Sequence, residues 1–325
     1  MKKVFITREI PKPALELLEA EFEVHINPDD KVLSRNELIE SVKNCDAVLC
    51  LLTDIIDEEV LKSAGIKCKI FANYAVGYNN IDLKAATSRN VIITNTPNVL
   101  DNATADLAWS LLFSTARRVV EADKFMRSGR FEGWAPMMYL GMDITGKTLG
   151  VVGAGRIGTN FAKKAKAFDM KILYTDKSPS SNFEYETGGE YLCKEELLKR
   201  SDFVSLHIPL NDLTKHYIGS MELEIMKKNA ILINTSRGPV VDEAALVKAL
   251  KEKVIWGAGL DVYEEEPLMK SGLSELDNVV LLPHIASATI ETRTQMGIIA
   301  AKNIIEVLNG RKPLTCVNSE VLDSL

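Results

Sequence analysis

Residues 148–176 read TLGVVGAGRIGTNFAKKAKAFDMKILYTD, and this stretch has the order strand, turn, helix, strand. Thr148 to Val152 is a short apolar run, and Gly153, Gly155 and Gly158 complete the pattern GxGxxG. Apolar residues then recur at helical spacing through Phe161, Ala162, Ala165 and Phe168, and a second strand, Lys171 to Thr175, ends at Asp176. Each glycine has a mechanical reason. Gly153 makes the tight turn, Gly155 lets the backbone approach a pyrophosphate, and Gly158 allows close helix-to-strand packing. The helix that opens with Arg156 and Ile157 aims its free N–H groups at that pyrophosphate. Asp176 follows Gly153 by 23 residues, where an acid accepts both hydroxyls of an adenosine ribose. The cofactor expected is therefore NAD, with NADP as the alternative.

Outside this unit, composition sets the bounds. A chain of 325 residues is long enough for two domains with separate cores. Its 39 basic and 45 acidic side chains give a net charge of −6 without a basic block, which argues against nucleic acid or anionic membrane as partner. Five cysteines, at 45, 50, 68, 193 and 316, form no CxxC and no pairing with the four histidines. The expectation is reduced, mostly buried thiols in a cytoplasmic protein, and no metal site. Lys2 and Lys3 precede only Val4 to Thr7 before Arg8, which reads as a first strand and not a signal peptide. No stretch approaches the length of a membrane span.

The first hundred residues alternate strand and helix, the pattern of a parallel α/β sheet without a glycine fingerprint. One segment within them, NYAVGYNNID at 73–82, ends an apolar strand in a polar loop with glycine at its centre. Two readings are open for it: the N–H groups of Val76 and Gly77 bind a carboxylate in a backbone nest, or the loop is a plain helix-capping turn. From Asn98 the chain turns helical, and Thr104 to Val120 is apolar nearly all round, as expected of a helix buried between domains or subunits. The apolar, irregular segment 129–142, with Trp134, Met137, Met138 and Tyr139, suits a subunit contact or a pocket wall.

After Asp176 a polar, Gly-containing stretch runs to about Glu190, and a further series of strands follows. Arg237 follows the strand 230–234, Glu266 follows 257–261, and His284 follows 279–282. Parallel strands that share a sheet deliver their C-terminal ends to one crevice. A guanidinium grips a carboxylate, a carboxylate favours protonated imidazole, and imidazolium gives a proton to a carbonyl oxygen. Singly, each residue has an ordinary alternative as an ion-pair partner, a member of an acidic run or a core histidine. The shared placement beside a nucleotide fold favours chemistry. His207, followed by Pro209, reads as cofactor-pocket wall, and His25 and His216 as structural.

GAGRIG with Asp176, SDFVSLHIPL at 201–210, INTSRG at 233–238, GLDVYEEEP at 259–267 and LLPHIAS at 281–287 resemble the D-isomer-specific 2-hydroxyacid dehydrogenases. NYAVGYNNID, NTP at 95–97 and NATADLAWSLL from 102 bring the resemblance closest to the glyoxylate/hydroxypyruvate reductase branch. It implies two doubly wound parallel-sheet domains hinged about a cleft. A Rossmann cofactor domain, 99–286, is then inserted into a flavodoxin-like substrate domain, 1–98 and 287–325, and a helical arm near 100–140 makes a homodimer. It further implies that Arg237 holds the substrate carboxylate, that Glu266 pairs with His284, and that His284 is the acid in reduction. Asp261 matches the position that holds the nicotinamide carboxamide, and Thr104, Thr235 and Pro209 match cofactor contacts.

The reaction so implied is NADH-dependent reduction of a short 2-oxo acid, glyoxylate or hydroxypyruvate, to the D-hydroxy acid. A longer oxo acid such as 2-ketogluconate is an alternative, since 132–140, EGWAPMMYL, follows no obvious consensus. A different class of reading is a nucleotide-sensing interaction protein like the dehydrogenase-like corepressors. Its marks, disordered tails and partner motifs, are not visible in the sequence.

Overall fold

The computed structural model describes residues 1–324. The chain forms two compact units, Met1–Leu100 together with the chain from Ala288 onward, and Asp101–Ser287.

In the first unit β1 (Lys3–Ile6), α1 (Lys12–Glu19), β2 (Glu23–Ile26), α2 (Arg35–Val42), β3 (Ala47–Cys50), α3 (Glu58–Ala64), β4 (Ile70–Asn73), α4 (Leu83–Ser88) and β5 (Ile92–Thr94) alternate along the chain. The five strands are all parallel in the order β2-β1-β3-β4-β5, the flavodoxin-like arrangement. β3, β4 and β5 are buried along their whole length, because helices cover both faces of a parallel sheet. Local chemistry sets the helix starts. Ser34 and Glu37 form a capping box on α2, while the carboxylates of Asp57 and Asp82 cap α3 and α4, each such cap contributing about 1 kcal/mol.

The second unit contains α5 (Asp101–Ala116), α6 (Val119–Arg127), β6 (Thr148–Val152), α7 (Arg156–Ala165), β7 (Lys171–Thr175), α8 (Ser181–Thr187), β8 (Glu190–Tyr191), α9 (Lys194–Arg200), β9 (Phe203–Leu206), α10 (Ser220–Ile225), β10 (Ile231–Asn234), α11 (Glu243–Lys251), β11 (Gly257–Leu260) and β12 (Val279–Leu281). Its seven parallel strands run β12-β11-β10-β9-β6-β7-β8. Counted from β6, this is the Rossmann order with one added strand, and the order reverses between β6 and β9. The chain then returns to the first unit as α12 (Ile290–Leu308), which lies against α1. Gly297 permits this approach, since a Cβ there would lie 2.8 Å from the Cβ of Ala14.

One expectation needs correction. The helix expected over Thr104 to Val120 is broken: α5 ends at Ala116, and Arg118 takes a left-handed conformation at φ 54°. The cause lies further along the chain, where Met142 N donates to the Ala116 carbonyl at 2.8 Å and Gly141 packs against the same oxygen. That partner caps the helix end from outside its own sequence. The polar stretch before Glu190 contains the helix α8. Ser180 caps α8, and Phe183 on that helix is buried 4.4 Å from the ring of Tyr174.

Trp109, Phe113, Phe161 and Phe168 form one aromatic cluster between α5 and α7, and the Trp109 indole N–H donates to the Phe161 carbonyl. By contrast Trp134, Met137 and Leu140, in the chain between α6 and β6, are exposed. Cys45, Cys50 and Cys68 are buried, Cys193 is exposed, and all five thiols are free.

Candidate active site

The fingerprint turn has the geometry that its glycines require. Gly153 sits at φ 102°, where a side chain is disfavoured, and a Cβ there would meet the His207 carbonyl at 2.7 Å. A Cβ at Gly158 would lie 2.0 Å from the Gly153 carbonyl, so the first turn of α7 rests directly on the strand end. Gly155 faces open space, with no atom within 4 Å of such a carbon. It is also the N-cap of α7 and offers no side chain to satisfy the N–H groups of Arg156, Ile157 and Gly158. An uncapped helix start beside an open glycine fits a pyrophosphate.

Asp176, at the end of β7, is held over this turn. Its Oδ2 accepts from Ala154 N and its Oδ1 from Lys177 N, both at 2.7 Å. Arg156 donates from Nε to Asp101 at 2.9 Å. Thr104 is buried on α5, and Thr235 is buried after β10 with an Oγ1 that has no hydrogen-bond partner in the protein. An orphaned buried hydroxyl costs stability unless a ligand satisfies it. Pro209 is exposed, whereas the His207 ring lies 5.0 Å from Phe161 with Nε2 2.9 Å from Ser205 Oγ. Burial pushes the His207 imidazole down to about 3, so it is neutral and suited to a wall rather than to proton transfer.

The chemical residues gather at the C-terminal ends of β10, β11 and β12. His284 Nδ1 lies 2.8 Å from Glu266 Oε2, and Glu266 Oε1 accepts from Tyr263 N at 3.0 Å. With Glu266 ionised, Nδ1 carries a proton and Nε2 is left to meet a substrate. Burial alone would raise the Glu266 carboxyl, but the hydrogen bond and charge of His284, the Tyr263 N–H and the charge of Arg237 outweigh it and hold it below its ordinary value. Burial pushes the Arg237 guanidinium down from the ordinary arginine range, opposed by Glu266. These mutual effects place Arg237, Glu266 and His284 within one electrostatic neighbourhood.

What braces this cluster carries little mark in the sequence. Asp261 is fully buried, and its two oxygens accept from Ile285 N and Ala286 N at 2.7 Å each. It thus anchors the turn that follows His284. Glu243 on α11 is also buried, and accepts from Glu264 N and Lys270 N at 2.7 Å, gripping both ends of the loop that carries Glu266. Tyr263 OH donates to the Leu282 carbonyl at 2.8 Å. His216 pairs with Glu264 at 2.6 Å and His25 with Glu23 at 2.8 Å, both away from this cluster's chemistry. A cavity of about 920 Å³ lined by Lys124, Lys228, Leu250, Trp256 and Asp277 opens at the opposite, N-terminal ends of β10–β12 and contains none of the chemical residues.

Among the described residues no group of three His, Cys, Asp or Glu could hold a metal ion, and no helix is long and apolar enough to cross a membrane. Residues 109–286 match the model of the D-isomer specific 2-hydroxyacid dehydrogenase NAD binding domain. The chain belongs to the D-isomer-specific 2-hydroxyacid dehydrogenases. This dehydrogenase is 53% identical to the glyoxylate reductase of Thermococcus litoralis, over 99% of this chain and 98% of that one. A solved structure from Thermus thermophilus superposes with a TM-score of 0.91 at 42% identity, covering 97% of this chain and 99% of the other. The NADPH-dependent glyoxylate/hydroxypyruvate reductase of Sinorhizobium meliloti, 30% identical, superposes at 0.85 over 99% of each chain. The residues matched by the NAD binding domain model, 109–286, lie within the second unit.

Proposed function

We propose that this dehydrogenase reduces a short 2-oxo acid, glyoxylate or hydroxypyruvate, to the D-2-hydroxy acid. The observation that carries the reading is the 2.8 Å contact between His284 and Glu266 in a domain whose fingerprint turn is open for a dinucleotide. The N–H groups at the start of α7 receive the pyrophosphate, Asp176 the ribose, and Thr104, Thr235, His207, Pro209 and Asp261 line the remainder of the cofactor site. When bound, NADH supplies the hydride for the carbonyl carbon. Arg237 clamps the substrate carboxylate. Within the first unit, the N–H groups of Val76 and Gly77 form a nest for a carboxylate. His284, hydrogen-bonded through Nδ1 to Glu266, delivers a proton from Nε2 to the carbonyl oxygen, which thereby becomes the hydroxyl.

The exposed apolar side chains of Trp134, Met137 and Leu140 support a homodimer formed through the arm near 100–140, since an apolar surface of this kind marks a contact. The free, separate cysteines favour a cytoplasmic setting. Steady-state rates with glyoxylate, hydroxypyruvate, pyruvate, 2-ketogluconate and phosphohydroxypyruvate, each with NADH and NADPH, test the assignment. A kcat/KM for 2-ketogluconate above that for glyoxylate and hydroxypyruvate would overturn the short-substrate reading.

A further inference from the structure

The loop after β4 presents three successive peptide groups, each held by its carbonyl. The Ala75 carbonyl accepts from Thr96 N, the Val76 carbonyl from Asn95 Nδ2 and the Gly77 carbonyl from Asn73 Nδ2, all at 2.9 Å. In a trans peptide the carbonyl and the following N–H point in opposite directions. Each of the N–H groups of Val76, Gly77 and Tyr78 is therefore turned away from the donor that holds the carbonyl of its own peptide. No hydrogen bond among the described residues takes any of the three. Successive N–H groups left open in this way make an anion-binding concavity.

The grip is itself anchored. The Asn95 carbonyl accepts from Thr315 Oγ1 at 2.6 Å, and that hydroxyl accepts from Asn303 Nδ2 at 2.8 Å. Asn303 is fully buried on α12 and also accepts from Thr315 N through its Oδ1 at 3.1 Å. A buried amide with donor and acceptor both engaged has one orientation only. On the other side Asn80 Nδ2, which donates to the carbonyls of Leu51 and Asp54 at 3.1 and 3.0 Å, lies 3.4 Å from Asn73 Oδ1. The loop is thus set by side-chain amides reaching from β4, from the end of β5 and, through Thr315, from α12.

We infer that Asn95 is a positioning residue for the substrate carboxylate, with Asn303 and Thr315 fixing it from behind. The inference rests on the assignment of that carboxylate to Val76 and Gly77. Asn95 touches no substrate atom; it acts by holding the Val76 carbonyl so that the Gly77 N–H faces the ligand. Asn95→Asp keeps the size but replaces the donor with a carboxylate oxygen that repels the Val76 carbonyl, so the peptide turns and the nest opens.

The test uses the intact enzyme saturated with NAD and labelled with 15N at valine and glycine, titrated with oxalate as a carboxylate probe. In the parent the Val76 and Gly77 amide signals should move on titration. Asn95→Asp should weaken oxalate at least tenfold and raise KM for the oxo acid by a similar factor. The Kd for NADH should stay within twofold, and Thr315→Val should show a smaller change in the same sense. If the parent amides move but Asn95→Asp binds oxalate within twofold of the parent, the positioning role is overturned while the carboxylate assignment stands. If NADH and oxalate weaken together, the residue is merely structural and the inference is again overturned. If the parent amides do not respond, the assignment to Val76 and Gly77 fails and takes the inference with it.

Discussion

A side-chain carbon at Gly238 would lie 1.8 Å from the carbonyl oxygen of Tyr263, so the chain after β10 rests directly on the loop that leads to Glu266. Arg237 precedes the first of these residues, and Glu266 accepts from the N–H of the second. Gly238→Ala must push the two backbones apart, and overpacking of this kind costs about 1–3 kcal/mol. The expected result is a loss of kcat/KM for the oxo acid of tenfold or more together with a lower thermal midpoint. An alanine variant with the parent's kinetics and midpoint would show that the two loops are free to separate.

Arg237→Lys preserves a positive charge but not a planar fork. Lysine cannot make the two parallel hydrogen bonds that fix a carboxylate plane. KM should rise and kcat should fall. Hydrogen bonds to charged groups are worth about 1.5–3 kcal/mol, so kcat/KM should drop roughly 10- to 100-fold. Kinetics within about twofold of the parent, roughly 0.4 kcal/mol, would remove Arg237 from the role of clamp.

The parts of this protein that could be read from its sequence are those determined over short distances. Gly153, Gly155, Gly158 and Asp176 lie within one βαβ unit, and the physics of the turn constrains each of them locally. The placement of Arg237, Glu266 and His284 at one end of the sheet was legible because each follows an apolar strand, and a parallel sheet aligns such ends. What braces them was not legible. Asp261 takes N–H groups of residues 285 and 286, and Glu243 those of 264 and 270; an acid at a strand end or a helix start carries no mark of such distant partners. The break at Arg118 was hidden for the same reason, since the group that caps α5 comes from Met142. Asn95 stood out only as part of the NTP motif, and its bond to Val76 was hidden, because the two become neighbours only when β4 and β5 pair.

Asp54 provides a test of stability that does not depend on catalysis. Burial raises its carboxyl, against the help of Thr7 Oγ1 at 2.5 Å, Leu51 N at 2.7 Å and the charge of Arg8. A carboxyl raised by folding binds its proton more tightly in the folded state. Stability therefore falls as pH rises from the unfolded value through the folded one. Asp54→Asn retains an oxygen for both donors and removes the buried charge. The variant should melt at a higher temperature than the parent at pH 7, with the gap closing as pH falls below about 4. A gap that is constant between pH 4 and 7 would show that the charge is not what costs stability.

Asp176 should set the choice between the two cofactors. Its carboxylate is fixed by Ala154 N and Lys177 N at the end of β7, so it cannot swing away from a 2′-phosphate without losing both bonds. Lys177, exposed beside it, partly offsets the repulsion. A preference for NADH is expected, and Asp176→Ser should narrow the ratio of kcat/KM for NADH to that for NADPH by about tenfold, or ~1.4 kcal/mol. Equal use of both cofactors by the parent enzyme would overturn this.

The pairing of Glu266 with His284 makes the sharpest demand, because a proton donor must hold its proton at the working pH. Unperturbed imidazole titrates near pH ~6.5, and a carboxylate in contact favours the protonated ring. The Glu266 carboxyl is held below its ordinary value, so it is ionised throughout the range in which reduction is measured. In Glu266→Gln the amide oxygen can still accept from Tyr263 N, which turns the amide NH₂ toward His284 Nδ1. A donor facing Nδ1 disfavours the ring with both nitrogens protonated. The alkaline fall of kcat/KM for 2-oxo acid reduction should therefore move to lower pH in the variant, and the loss relative to the parent should be smaller in acid, where the ring is protonated without help. His284→Ala removes the donor itself and should lose about 10²- to 10⁴-fold at every pH. The measurement is kcat/KM for the oxo acid from pH 5 to 9 at saturating NADH. A Glu266→Gln profile parallel to that of the parent would show that the carboxylate orients the imidazole without holding its charge.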